Sequence, residues 1–318
     1  MEQKVRKIYL GELFKQCFYV ANAIDILNQS IHRMSPDISK DFSASEKAYW
    51  VNEVFRSAHS FMAHLSNVSR LLCPAGAFRR EGEGEAEVAA KMEILPQRFV
   101  REGYHVTGAG KLFHSGGNKK YIPGWGGGMG GFGPLPEKKL SPFAGHKLWD
   151  WGAFPEQDEM LPDHKVTDWT IEKLNQLGDE PFFMMTGLLT THVPQYTPQK
   201  WIDLYPEETL QLPRVLKNDI KDLSQYAIDL TRKEHVAPTH EWVTENGQWK
   251  PLVQTYLACV SFVDYQVGRI LDALEASPHA DSTVIVLFSD HGFHLGEKER
   301  WAKRSVWQDG AGVPMIIA

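Results

Sequence analysis

Two regimes of hydrophobic patterning divide the chain. Up to about residue 92 apolar positions recur only at helical spacing. After Ser43-Ala-Ser-Glu46, which has the form of a capping box, Tyr49, Val51, Val54, Phe55, Ala58, Phe61, Met62 and Leu65 return every three or four residues. Residues 1–92 are therefore expected to form a helical segment, a hairpin without strands, and the charged run Arg79-Arg-Glu-Gly-Glu-Gly-Glu-Ala-Glu87 a solvated linker. From Ile94 the pattern alternates. A short helix running through Phe99 leads to a strand at 104–109, a helix at 168–177, a buried strand at 181–187 and a long amphipathic helix at 249–275. That last helix has Val253, Leu257, Val260, Val263, Val267, Ile270, Leu271 and Leu274 as its expected inward stripe. Apolar runs at 283–289 and 313–318 complete the strands. Alternation of this kind predicts an α/β fold for residues 93–318, a mostly parallel sheet with helices on both faces. The pattern stops on an uncapped strand, Val313-Pro-Met-Ile-Ile-Ala318, so the sheet reads as truncated.

Composition narrows the picture. With 318 residues and 42% hydrophobic content the chain can bury a large core. The net charge of −6 and the dispersed Lys and Arg leave no footprint for nucleic acid or an acidic membrane. No apolar run approaches the roughly 18 residues of a membrane span, and no apolar stretch with a small-residue cleavage site follows the charged start. Cys17, Cys73 and Cys259 are too few and too scattered for a disulfide framework or a thiolate zinc site. The run Gly124-Trp-Gly-Gly-Gly-Met-Gly-Gly-Phe-Gly133 lacks the strand-before, helix-after setting of a dinucleotide fingerprint and reads as a flexible surface loop.

Candidate chemistry gathers at strand ends. The β-branched run 283–289 breaks off into Ser289-Asp290-His291-Gly292, two metal-capable side chains and a glycine that permits a sharp turn. Three more clusters follow the same rule: Gly108-Ala-Gly-Lys111-Leu-Phe-His114, Thr190-Thr-His192-Val-Pro194 and Trp301-Ala-Lys303-Arg-Ser305. Any one of these could be a surface or capping group. Four at one edge of one sheet form the inventory for holding a divalent ion and a tetrahedral oxyanion together, with cations offsetting charge as a bond breaks.

Ser289-Asp-His-Gly-Phe-His-Leu-Gly-Glu-Lys298, with Trp301-Ala-Lys303 and Val313-Pro-Met-Ile-Ile317, resembles the distal active-site block of the sulfatases, in the alkaline phosphatase superfamily. The branch it most resembles is the iduronate-2-sulfatase-like one. Further matching blocks run in family order, from Leu95-Pro-Gln-Arg-Phe99 and Gly103-Tyr-His-Val-Thr-Gly-Ala-Gly-Lys-Leu-Phe-His114 to His192-Val-Pro194 and Val267-Gly-Arg-Ile-Leu-Asp-Ala-Leu274. The resemblance implies an alkaline-phosphatase-like fold, metal-dependent hydrolysis of sulfuric esters of a sulfated small molecule or saccharide, and an exported protein. It also implies roles by position. Asp290 and His291 would be calcium ligands, Lys111 and Lys303 would hold sulfate oxygens, His114 would support the nucleophile, and His192 would act as general acid to the leaving oxygen.

The chain also departs from the family. It has no Asp-Asp pair, and Cys73-Pro-Ala-Gly-Ala77 has Ala77 where the family's Cys-x-Pro-Ser-Arg requires arginine. Calcium takes six to eight oxygen ligands, of which Asp290 supplies at most two, so weak calcium binding is expected. A phosphoesterase of the same superfamily and an inactive sulfatase-like binding protein are the alternative readings.

Overall fold

The computed structural model describes residues 93–113, 116–232, 237–303, 305 and 307–318, with the backbone alone at 116–118 and 230–232. The expected helical hairpin of residues 1–92, Cys73 and His114 lie outside the described residues. Helix α1 (Leu95–Arg101) opens with a proline in its first turn, and the Gln97 side chain accepts the Ile94 N–H at 3.0 Å. It feeds β1 (His105–Gly110), the central strand of a three-stranded sheet in which β2 (Gly124–Trp125) and β4 (Phe182–Gly187) both pair parallel to it. A second parallel pair joins β3 (Trp151–Ala153) to β5 (Gln195–Thr197). Helix α2 (Pro162–Asn175) connects β3 to β4 and packs on β1 and β4. After β5 come the short helices α3 (Gln199–Ile202), α4 (Gln225–Arg232) and α5 (His240–Glu245). The long α6 (Trp249–Glu275) then lies against α2, α3, β3 and β5. The chain closes with β6 (Val286–Phe288), β7 (His294–Leu295), β8 (Trp301–Ala302), α7 (Gln308–Ala311) and β9 (Met315–Ile317). The α/β class with parallel strand pairs and packed helices agrees with the hydrophobic alternation.

Several expectations need correction. Helix α2 begins six residues before the expected 168, at Pro162. Its buried first turns carry Asp163, Thr167 and Thr170, polar side chains that hide the apolar period. The bounds of α6 are those its period predicts, and its buried face is the expected one in part, rotated toward polar and small residues. Val253 and Leu274 of the expected stripe are buried, Leu252, Thr255, Ala258, Cys259, Phe262 and Gln266 are buried beside them, and Leu271 is 38% exposed. Polar groups on the inner face make hydrogen bonds there: Thr255 Oγ1 donates to Pro251 O at 2.8 Å, and Gln266 Oε1 accepts from Arg269 at 2.9 Å, while Gln266 Nε2 is buried without a partner.

The apolar run at 283–289 is expected to form a buried strand of a mostly parallel sheet. It is shorter, pairs antiparallel with β9, and leaves Val284 72% and Val286 46% exposed. The glycine-rich run is not wholly a loop either. Its start is the edge strand β2, and backbone bonds from Gly126 N–H to Gly108 O (2.9 Å) and from Gly110 N–H to Gly127 O (2.8 Å) carry the pairing onward.

The aromatic stretch after it mostly packs. Trp149 and Trp151 join Val243, Leu252, Val253 and Trp301 in one buried cluster. Among the described residues no helix is long and apolar enough to cross a membrane. The rotated face of α6 makes a direct prediction. Phe262→Ala, at a position 0% exposed, should cost about 3–5 kcal/mol in urea unfolding. Leu271→Ala should cost under about 1 kcal/mol.

Candidate active site

The site begins where β1 and β4 end. The two strands run in register from His105↔Phe182 to Gly110↔Gly187, so their carboxyl ends finish side by side. A Cβ on Gly110, which has φ +82°, would sit 2.1 Å from Gly187 O, and one on Gly187 would sit 2.3 Å from the Lys111 carbonyl carbon. Only two glycines allow this approach, and it lets the Lys111 N–H donate to Gly187 O at 2.7 Å. Lys111 therefore leaves its strand beside the turn that follows β4. Its ammonium donates to Phe113 O at 3.0 Å and lines a cleft of about 200 Å³ together with Lys119, Trp125, Asp163 and Leu189.

His192 sits in the turn after β4, which is closed by its own N–H donating to Leu189 O at 3.0 Å. Its Nδ1 bonds Val193 O at 2.6 Å, which makes Nδ1 the protonated nitrogen and leaves Nε2 with a lone pair. The Phe132 ring lies over it at 5.3 Å between centroids. Thr191, immediately before, has φ +93°, a strained value for a β-branched residue.

His291 follows β6. Its Nδ1 bonds Gly292 O at 2.8 Å, and its Nε2 lies 3.6 Å from Asp290 Oδ1. Gly292 is pressed against the α7 region, where a Cβ would fall 2.0 Å from Asp309 O, and this seats the Asp290-His291 turn. Lys303 follows β8. Its carbonyl accepts the Ser305 N–H at 2.6 Å, and Ser305 Oγ is held in turn by His294 Nε2 at 2.6 Å.

Electrostatics ties these loops together. Burial is the largest influence pushing the His192 imidazole below its ordinary range, the bond to Val193 O opposes it, and the positive charges of Lys303, His291 and Lys111 push further down. His291 is likewise lowered, first by burial and then by Lys303 and Lys111, against the raising effects of Gly292 O and Asp290. Lys111 and Lys303 thus act on both imidazoles, and His291 on His192, although the four arrive from the ends of four different strands. A cluster of two ammoniums and two imidazoles favours an anion between them.

Sequence reasoning passed over Asp163, Cys259 and the His294–Ser305 pair. Asp163 was detectable as a Pro-Asp helix start. The other two carried no local signal, because their meaning comes from partners far along the chain. Asp150 is a further buried carboxylate, accepting N–H bonds from Leu140 (2.9 Å) and Ser141 (2.7 Å) and the Tyr196 hydroxyl.

Asp290 and His291 do not by themselves fit calcium. Among the described residues no group of three or more His, Cys, Asp and Glu side chains comes together as a metal site. One carboxylate and one imidazole fall well short of six oxygens, so no chemical step is routed through a metal below.

The sulfatase family model matches residues 57–318. The chain belongs to the sulfatase family. A sulfatase from Formosa agariphila is 41% identical over 258 residues, covering 78% of this chain and 50% of its own. Human iduronate 2-sulfatase is 28% identical over 254 residues, covering 72% of this chain and 45% of its own. The chain spans about half the length of these curated relatives. Among solved structures, a phosphonate monoester hydrolase of Agrobacterium radiobacter superposes with a TM-score of 0.50 at 17% identity, covering 72% of this chain and 53% of that one, a likeness of fold. The sulfatase match begins at residue 57, upstream of the first described helix.

Burial of imidazoles next to this cluster sets a pH dependence. His294 is fully buried, and burial is the largest influence lowering its pKa. As pH falls through roughly 6.5, the unfolded chain takes up the proton before the folded one, so stability drops. The thermal midpoint should fall between about pH 7.5 and pH 5. His294→Gln, which keeps a partner for Ser305, should flatten that slope in melts recorded across the range.

Proposed function

We propose that this chain recognises the sulfate group of a sulfuric ester and that its reaction is sulfuric ester hydrolysis of the iduronate-2-sulfatase-like kind, on a sulfated sugar or glycosaminoglycan. The observation that carries the reading is that the charges of Lys111, His291 and Lys303, each at the end of a separate strand, all reach the buried imidazole of His192. Family membership and the relatives' names support it. Lys111 and Lys303 supply ammonium groups that offset the charge of the sulfate oxygens as the ester bond opens. His192 presents Nε2 to the bridging oxygen. An anion bound among the cations counters the charges that depress this imidazole, which raises its readiness to carry a proton to the leaving alkoxide. Asp290 and His291 are proposed as the polar floor of the site, and His114 as a support for the nucleophile.

Cys259 is fully buried and its thiol is pushed up to about 12, chiefly by desolvation, so it is inert. Turnover of p-nitrophenyl sulfate, with p-nitrophenyl phosphate as the comparison and calcium added or withheld, tests the proposal. Lys111→Ala and His192→Ala should each lower kcat/KM by about 10²–10³-fold. Faster turnover of the phosphate ester would move the reading to a phosphoesterase. Sulfate binding without turnover of either ester would make the chain a binding protein.

A further inference from the structure

The Leu189, Thr190 and His192 N–H groups of the turn that carries His192 all have acceptors, and the first two are met by one buried carboxylate on α2. The Leu189 N–H reaches both carboxylate oxygens of Asp163, at 2.9 and 3.0 Å, and the Thr190 N–H reaches Oδ2 at 2.6 Å. The Thr190 side chain adds a further hydrogen bond to the same carboxylate. Cys259, midway along α6, lies within electrostatic range of the Thr191 backbone and of Asp163, and the His192 N–H turns inward to Leu189 O. Asp163 is 1% exposed and Cys259 0%. Burying a carboxylate with no cationic partner is costly, and a helix start needs only a small polar cap. The position of Asp163 is better explained by what it holds. Two successive N–H groups converge on one point, which demands an acceptor with several lone pairs, and the residue after them has the strained φ of +93°.

We propose that Asp163, backed by Cys259, is a positioning residue for His192: it holds the 189–191 turn in its strained form and so keeps the imidazole aimed at the sulfate site. This rests on the proposed sulfate-binding reading. The link runs through the backbone. Asp163→Asn replaces one acceptor oxygen with an NH₂ group facing an N–H, so the turn relaxes away from the Thr191 conformation and His192 swings off the anion.

Calorimetric titration of the full chain with inorganic sulfate, paired with amide hydrogen exchange over residues 188–193, tests the idea. Asp163→Asn should weaken sulfate binding about tenfold and accelerate exchange at Leu189 and Thr190. Adding Thr191→Gly should restore most of the affinity, because glycine adopts the required φ without strain. A merely structural loss of stability would speed amide exchange throughout the fold, whereas a loss of positioning speeds it within residues 188–193 alone. Should Asp163→Asn fail to fold, Cys259→Ala removes the thiol beside the Thr191 backbone and should weaken sulfate about threefold. Unchanged sulfate affinity in the folded Asp163→Asn or Cys259→Ala protein overturns the positioning role. Failure of wild-type protein to bind sulfate, or indifference of binding to Lys111→Ala, overturns instead the reading of the site, and the exchange rates then still decide whether Asp163 holds the turn.

Discussion

The bond from the Lys111 N–H to Gly187 O, at 2.7 Å, is where the two central strands stop being a sheet and start being a site. Parallel strands carry their hydrogen bonds at even spacing, and here the ladder runs unbroken to its last residue pair. A side chain at either terminal position would force the strands apart by its own radius. With glycine at both, the two chains leave the sheet in contact. Lys111 and the 188–192 turn therefore start from the same place, and the relation between cation and imidazole follows from the ladder and not from a flexible loop.

The loops that depart from that edge are fixed by buried polar groups more than by apolar packing. Asp163 holds the turn after β4, Asp150 holds the 140–141 segment, and His294 holds Ser305 behind Lys303. Each would be a liability in a core left unpaired. Each is matched with donors or acceptors from a distant part of the chain, which converts the cost of burial into positional specificity. The helices serve as anchors in this scheme. The inner face of α6 sets Cys259 beside the Thr191 backbone and, with the polar side chains of α2, makes the helix pair a polar as well as an apolar seam.

Charge then determines what the assembled edge can do. Two ammoniums and two imidazoles in mutual range are an unfavourable set without a counterion, and the depressed pKa values of His192 and His291 are the molecule's response to burial and to that repulsion. An oxyanion relieves it. Asp290 offsets part of the positive charge, its side chain being about half exposed to solvent.

By itself the sequence determined the element types and the strand-end location of the chemistry. The bounds of α6, the strands that became β1 and β4, and the clusters at Lys111, His192, Asp290 and Lys303 were all legible, because periodicity and the turn residues after a strand are local properties. Only the tertiary structure decided which face of α6 turns inward. It also decided that β6 pairs antiparallel and half-exposed, that the glycine run contributes an edge strand, and that Asp163, Cys259 and His294 matter. Those outcomes depend on partners outside the local window, 11 residues apart for His294 and Ser305 and 27 for Asp163 and Thr190, where the satisfaction of a buried polar group outweighs its intrinsic preference for water. A pattern of hydrophobicity registers the preference of each residue but carries no record of the partner that overrides it.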